Sequence, residues 1–268
     1  MDQQICNVKP LLEVDSVTIR YQTSTQEIVA AEDVSFSVFP SDRFILLGPS
    51  GCGKSTLLKS IGGYIAPSEG EIRLKKERIR EPGPDRVFVF QEFDQLLPWM
   101  TVSENLCFAL TNGRRCRSRK EAVEIADRYL EKVKLWKFRN SYPHTLSGGM
   151  KQRAAIARGL AMQPSILLMD EPFAALDALT RRQMQDELLE LWEETKFTVI
   201  FVTHSIDEGI VLGSRILILS PHPGRVRAEV NTHQMDRSQA SAPLFAEIRD
   251  RIYGMLFDHR LPVEEAAS

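Results

Sequence analysis

Two spacings of apolar positions alternate along the 268-residue chain. The stretches "LLEVDSVTIRY" (11–21) and "VSFSVF" (34–39) alternate apolar and polar residues, the period of half-buried antiparallel strands. "RFILL" (43–47), "DRVFVFQ" (85–91), "SILLMD" (165–170), "FTVIFVT" (197–203) and "RILILS" (215–220) are short continuous apolar runs, as buried strands are. "GYIAPSEGEIRL" (63–74) is a turn-rich return into a further strand. Helical spacing governs the remainder. "KSTLLKSI" (54–61) sets Leu57, Leu58 and Ile61 on one face, and "VSENLCFAL" (102–110) follows the same period. "SRKEAVEIADRYLEKVKL" (118–135) opens with Ser118 and Glu121 spaced for a capping box. "GGMKQRAAIARGLAM" (148–162), residues 178–194 and the short "SIDEGIVL" (205–212) are also helical. "PLFAEIRDRIYGMLF" (243–257) reads as a closing helix with Leu244, Ile248, Ile252 and Met255 on one side, its apolar face.

Buried strands alternating with helices predict an α/β fold with a mostly parallel sheet core, an antiparallel β region at the front and a helical subdomain. The expected organisation is an α/β core over 1–91 and 161–230, helices over 92–160, and a C-terminal tail and helix over 231–268. The polar stretch 231–241 reads as loose. No internal repeat is visible, so one such core is expected.

Acidic and basic residues nearly balance, with a formal net charge of -2, so nothing global favours nucleic acid as a partner. Cys6, Cys52, Cys107 and Cys116 lack CxxC spacing and read as reduced thiols of a cytosolic protein. "MDQQICNVKP" has no signal-peptide pattern. No run reaches about 18 apolar residues, so any membrane role is played from the water side. The basic "GRRCRSRK" (113–120) reads as a solvated helix start; contact with acidic headgroups or an acidic partner loop is the sharper alternative.

Chemistry concentrates in three places. In "LGPSGCGKST" (47–56) three glycines follow a buried strand, although glycine inside regular structure costs about 0.5–1 kcal/mol relative to alanine. The spacing Gly48-x-x-x-x-Gly53-Lys54-Ser55 is the phosphate-loop pattern. Its backbone N–H groups form an anion-binding concavity, reinforced by the N-terminus of the next helix. Pro49, Ser50, Gly51 and Cys52 complete the loop, Lys54 is expected to reach the β- and γ-phosphates, and Ser55, followed by Thr56, to ligate Mg²⁺. The loop therefore predicts a bound nucleoside triphosphate. Cys52 occupies a wildcard position of the loop and reads as structural filler, yet beside Lys54 and a helix N-terminus it is expected to have a lowered thiol pKa and to react with a maleimide.

"ILLMDEP" (166–172) ends an apolar strand in two acids. Strand alternation would point Asp170 and Glu171 to opposite sides, Asp170 beside Mg²⁺ and Glu171 toward an attacking water. "LSGGMKQR" (146–153) places Ser147, Gly148 and Gly149 at a helix start, a second potential anion site.

The third stretch resembles the signature motif of ATP-binding-cassette ATPases, and the resemblance spans nearly the whole chain. Tyr21 matches the aromatic that stacks on adenine, Gln91 the Q-loop glutamine, Asp177 in "AALD" the D-loop, and His204 in "VTHS" the switch histidine. Met150 departs from the commoner glutamine of the signature. The resemblance implies a P-loop fold of the cassette type, Mg²⁺-ATP as substrate, and a head-to-tail homodimer in which each signature caps the partner's ATP. It implies Glu171 as the base, His204 on the γ-phosphate, and Gln91 with Ser55 and Asp170 around Mg²⁺.

"FQEFDQLLPWMTVSENL" (90–106), "DEPFAALDALTRRQMQDELLELW" (170–192) and "SPHPGRV" (220–226) look like the nitrate, sulfonate and taurine importer subgroup. That implies an ATPase on the cytoplasmic face of the inner membrane, integral membrane permease subunits as partners, and a separate periplasmic solute-binding protein. Leu96, Leu97 and Trp99 then fit a dock for the membrane subunit; burial among the helices is the alternative. A soluble cassette ATPase and a separate-subunit exporter ATPase are the competing readings. The long insertions or second cassette of most soluble types are missing.

Overall fold

A computed structural model of the protein describes residues 9–22, 26–91, 95–233 and 243–257. Cys6, and residues 234–241 of the stretch read as loose, lie outside them. The elements run β1 (Leu12–Gln22), β2 (Glu27–Val38), β3 (Arg43–Leu47), α1 (Lys54–Ile61), β4 (Glu69–Leu74), β5 (Glu77–Arg78), β6 (Arg86–Val89), α2 (Val102–Asn112) and α3 (Arg119–Lys132). They continue with α4 (Gly148–Ala161), β7 (Ile166–Asp170), α5 (Ala178–Thr195), β8 (Val199–Thr203), α6 (Ile206–Leu212), β9 (Arg215–Leu219), β10 (Val226–Asn231) and α7 (Pro243–Phe257). By contacts the chain forms two compact units, Met1–Pro82 with Thr198–Ser268, and Gly83–Phe197. This grouping sets β6, β7 and α5 with the helices of 92–160.

In the first unit β1 pairs antiparallel with β2 and β4, with Leu12 opposite Val38 and Leu74. The alternation of β1 changes phase midway. Leu12 and Val14 are buried, then Val17 and Ile19, because Ser16 takes φ 48° and the register shifts there. A bulge of this kind re-aims every later side chain. Gly70 is required opposite it: at φ 75° its Cβ would lie 2.3 Å from the Ser16 carbonyl oxygen.

The parallel core of this unit has β3 between β8 and β9, with Leu46 level with Val202 and with Leu217. Nearly every residue of these strands is buried, which explains their unbroken apolar runs. Asp42, just before β3, pairs with Arg215 of β9 at 2.9 Å. Asp42 Oδ2 also accepts from the Phe39 N–H, and Arg215 lies over the rings of Phe39 and Phe44. Helix α7 corrects the expected face. Phe245, Ile252 and Leu256 are its buried residues, while Leu244 is exposed and Met255 only partly covered. The buried set follows from where the neighbouring surface lies, which period alone leaves open.

In the second unit β6 and β7 are parallel, Phe88 level with Leu168. Gly159 of α4 admits this pair closely: a Cβ there would stand 3.0 Å from Leu167 Cδ1. Arg153 of α4 pairs with Glu187 of α5 at 2.7 Å. The Ser118 box is only half formed. Ser118 caps α3 by accepting from the Glu121 N–H, but the Glu121 carboxylate accepts from Arg117 N–H instead of from Ser118. A complete box stands at α2, where Thr101 and Glu104 each accept from the other's backbone. No helix among the described residues is long and apolar enough to cross a membrane.

Candidate active site

The phosphate loop joins β3 to α1 in the first unit. Gly51 and Gly53 take φ of 80° and 90°, a region side chains rarely enter. A Cβ on Gly53 would lie 2.2 Å from the Ala30 carbonyl oxygen, and one on Gly48 2.7 Å from Cys52 Sγ. Glycine is needed at these positions for closeness as well as for φ. Helix α1 has no side-chain cap and no acid in its first turn, so its N-terminal partial charge is left for a ligand. The buried Lys54 ammonium donates to Gly48 and Pro49 carbonyl oxygens at 2.7 and 2.8 Å. Ser50 and Gly51 are exposed, and Ser55 and Thr56 partly so.

Cys52 corrects the sequence expectation. Its side chain is fully buried beneath the loop, against the space Gly48 leaves open. Burial pushes the thiol above its ordinary value, and the Lys54 charge with its hydrogen bonds offsets only part of that. The thiol therefore does not face a ligand, and only the Cys52 backbone remains available to one.

Tyr21 stands near the end of β1, and its hydroxyl donates to Thr56 Oγ1 at 2.9 Å. The aromatic and the phosphate loop are thus brought together. His204 is exposed just after β8. Its turn is held by the Thr203 hydroxyl, which accepts from Ser205 N–H at 3.0 Å and donates to Glu208. Ser205 caps α6. The sequence signal for this support was Ser205-x-x-Glu208, the spacing of a capping box.

The second unit carries the remaining candidates. Asp170 ends β7, but Glu171 is outside the strand with φ 42°. Strand alternation therefore stops at Asp170, and the left-handed backbone of Glu171 replaces it there. For a residue other than glycine this conformation is uncommon and marks functional sites often enough to be informative. Ser147 is the N-cap of α4 and accepts from Met150 N–H, so the substituted residue still completes the helix start through its backbone. Gly148 opens the helix. Gly149 is buried, and a Cβ there would come within 3.0 Å of Thr180 Cγ2 in α5. Asp177 is the N-cap of α5. It accepts from the N–H groups of Leu179 and Thr180, and the Thr180 hydroxyl and amide hold its carboxyl below the usual range. Sequence reading missed this capping role, although Asp before a helix announces it. Gln91 is exposed just past β6. Leu96 is buried, whereas Trp99 is 69% exposed, so burial as the alternative fails for Trp99.

A family model described as ABC transporter matches residues 31–174. The chain is 39% identical to a nitrate import ATP-binding protein of Synechococcus elongatus over 92% of this chain and 91% of that one. It is 42% identical to a taurine import ATP-binding protein of Rhizobium johnstonii over 92% and 96% of the two chains. Among solved structures, a dimeric ATP-binding cassette in a post-hydrolysis state with ADP and phosphate superposes with a TM-score of 0.72. It is 34% identical, over 84% of this chain and 100% of that one. A phosphate loop of this geometry, met by relatives matching over nine-tenths of both chains, leaves one assignment: the chain belongs to the ABC transporter family, as one of its ATP-binding, ATP-hydrolysing cassettes.

Proposed function

We propose that this chain is the ATPase subunit of an importer for a small oxyanion, nitrate or a sulfonate such as taurine. The observation that carries the reading is the near full-length match to relatives named for nitrate and taurine import. Lys54 and the loop amides of 48–56 bind the phosphates, and Tyr21 stacks on the base. Ser55, Gln91 and Asp170 offer a hydroxyl, an amide and a carboxylate, the hard oxygen donors that Mg²⁺ accepts. Mg²⁺ bound there would neutralise charge on the phosphates. Glu171 accepts a proton from the attacking water, and His204 contacts the γ-phosphate. Ser147, Gly148, Gly149 and Asp177 act on the ATP of a second copy in a head-to-tail homodimer. Permease subunits dock at the helices of 92–160 from the membrane, and a separate solute-binding protein delivers the oxyanion.

The test places Glu171→Gln in the host strain and in purified protein. The carboxamide is nearly isosteric, so ATP binding is retained while hydrolysis and uptake of one oxyanion are lost. Hydrolysis at the normal rate would remove Glu171 as the base. Unchanged uptake of nitrate, taurine and alkyl sulfonates would remove the substrate class.

A further inference from the structure

Gln95 lies four residues beyond Gln91, and its side chain reaches back to Phe90. Its Oε1 accepts from the Phe90 N–H at 3.1 Å, while its Nε2 donates to the Phe90 carbonyl at 3.0 Å. One amide thereby pairs both backbone groups of the residue before Gln91, as a neighbouring strand would. The same Nε2 also donates to Gln152 Oε1 at 3.3 Å, and Gln152 is fully buried in α4. The Gln95 carbonyl accepts from Arg158 Nη1 at 2.8 Å, a guanidinium of α4 whose charge burial disfavours. Such a group needs its acceptor, since an unmatched buried donor is costly.

We propose that Gln95 is a positioning residue for Gln91: it clasps the backbone at Phe90 and ties it to α4. Gln91 is exposed and follows directly on the clasped residue. Fixing Phe90 fixes where the Gln91 side chain starts and removes backbone freedom that would otherwise be lost on binding. The helix that supports the clasp, α4, is the one Ser147 caps, so the Phe90 backbone and the Ser147 cap share one support within the second unit. The proposal rests on the role of Gln91 at Mg²⁺-ATP given above.

The experiment measures Mg²⁺-ATPase kinetics, affinity for a fluorescent ATP analogue and melting temperature of the purified full-length chain. The variants are Gln91→Ala, Gln95→Ala, Gln95→Met and the double Gln91→Ala/Gln95→Ala. Gln95→Met keeps the side-chain volume and removes only the hydrogen bonds. Both Gln95 variants should lower kcat about three- to thirtyfold, as for one or two lost hydrogen bonds, with ATP affinity changed less than about twofold. Half-saturation by Mg²⁺ should rise, a shift that mere loss of stability does not produce. The double variant should be no slower than Gln91→Ala, because the clasp acts through that residue. Normal kcat in Gln95→Met, or multiplied defects in the double variant, would overturn the clasp alone. Gln91→Ala at the normal rate would remove the role of Gln91 and the clasp with it.

Discussion

The Tyr21 hydroxyl donates to Thr56 Oγ1 at 2.9 Å, joining the end of β1 to the first turn of α1. The hydroxyl thus braces the phosphate loop, and the proposed stacking of the ring on a base can be tested separately from it. Tyr21→Phe should cost about 0.5–1.5 kcal/mol of stability, as one hydrogen bond does, with ATP affinity nearly kept. Tyr21→Ala should weaken ATP binding by a further ~0.5–1.5 kcal/mol through lost stacking. Urea melts beside nucleotide titrations separate the two; equal ATP affinity in all three proteins would leave Tyr21 a brace only.

Cys52 should resist a maleimide in the native protein at neutral pH. Its thiol is enclosed, and burial raises its pKa, so little thiolate forms and none is accessible. Peptide mapping after brief labelling should find the partly exposed Cys107 and Cys116 modified first. Fast modification at Cys52 that Mg²⁺-ATP blocks would show that the thiol faces the nucleotide after all.

Trp99→Ala should leave the melting temperature and basal hydrolysis of the isolated subunit nearly unchanged. The side chain is 69% exposed, and surface truncations of this kind stay within about 0.5 kcal/mol. With permease subunits present the same change should cut uptake, since tryptophan is enriched among interface hot spots. Full uptake with a substituted Trp99 would take it out of the docking surface.

Thr101 and Glu104 cap α2 reciprocally, and the Thr101 amide and hydroxyl hold the Glu104 carboxyl below its ordinary value. A depressed folded pKa stabilises at pH above the unfolded carboxylate value. The stabilisation is lost as pH falls through the folded one. Thr101→Ala should cost about 0.5–2 kcal/mol at neutral pH. The difference from wild type should shrink in acid; denaturant melts at both pH values measure it, and a difference that grows in acid would contradict the sign.

The sequence by itself determined most of the elements, though not β5, β10 or the first half of β2. Unbroken apolar runs marked β3, β6, β7, β8 and β9, because a strand covered on both faces has no polar side to show. The phosphate loop was legible because its glycines, Lys54 and Ser55 lie side by side in the chain at a fixed spacing. Local chemistry of that kind needs no partner from elsewhere in the chain. Only the tertiary structure decided which way Cys52 points, since the same position can face a ligand or the core beneath Gly48. It likewise decided which stripe of α7 is buried, how Glu171 leaves the strand at φ 42°, and that Trp99 stays exposed while Leu96 does not. The Gln95 amide on Phe90 and the Arg158 guanidinium on the Gln95 carbonyl span 5 and 63 residues of sequence. No periodicity announces such contacts, because they depend on chain segments meeting in space, and burial then makes each polar group take the partner it finds there.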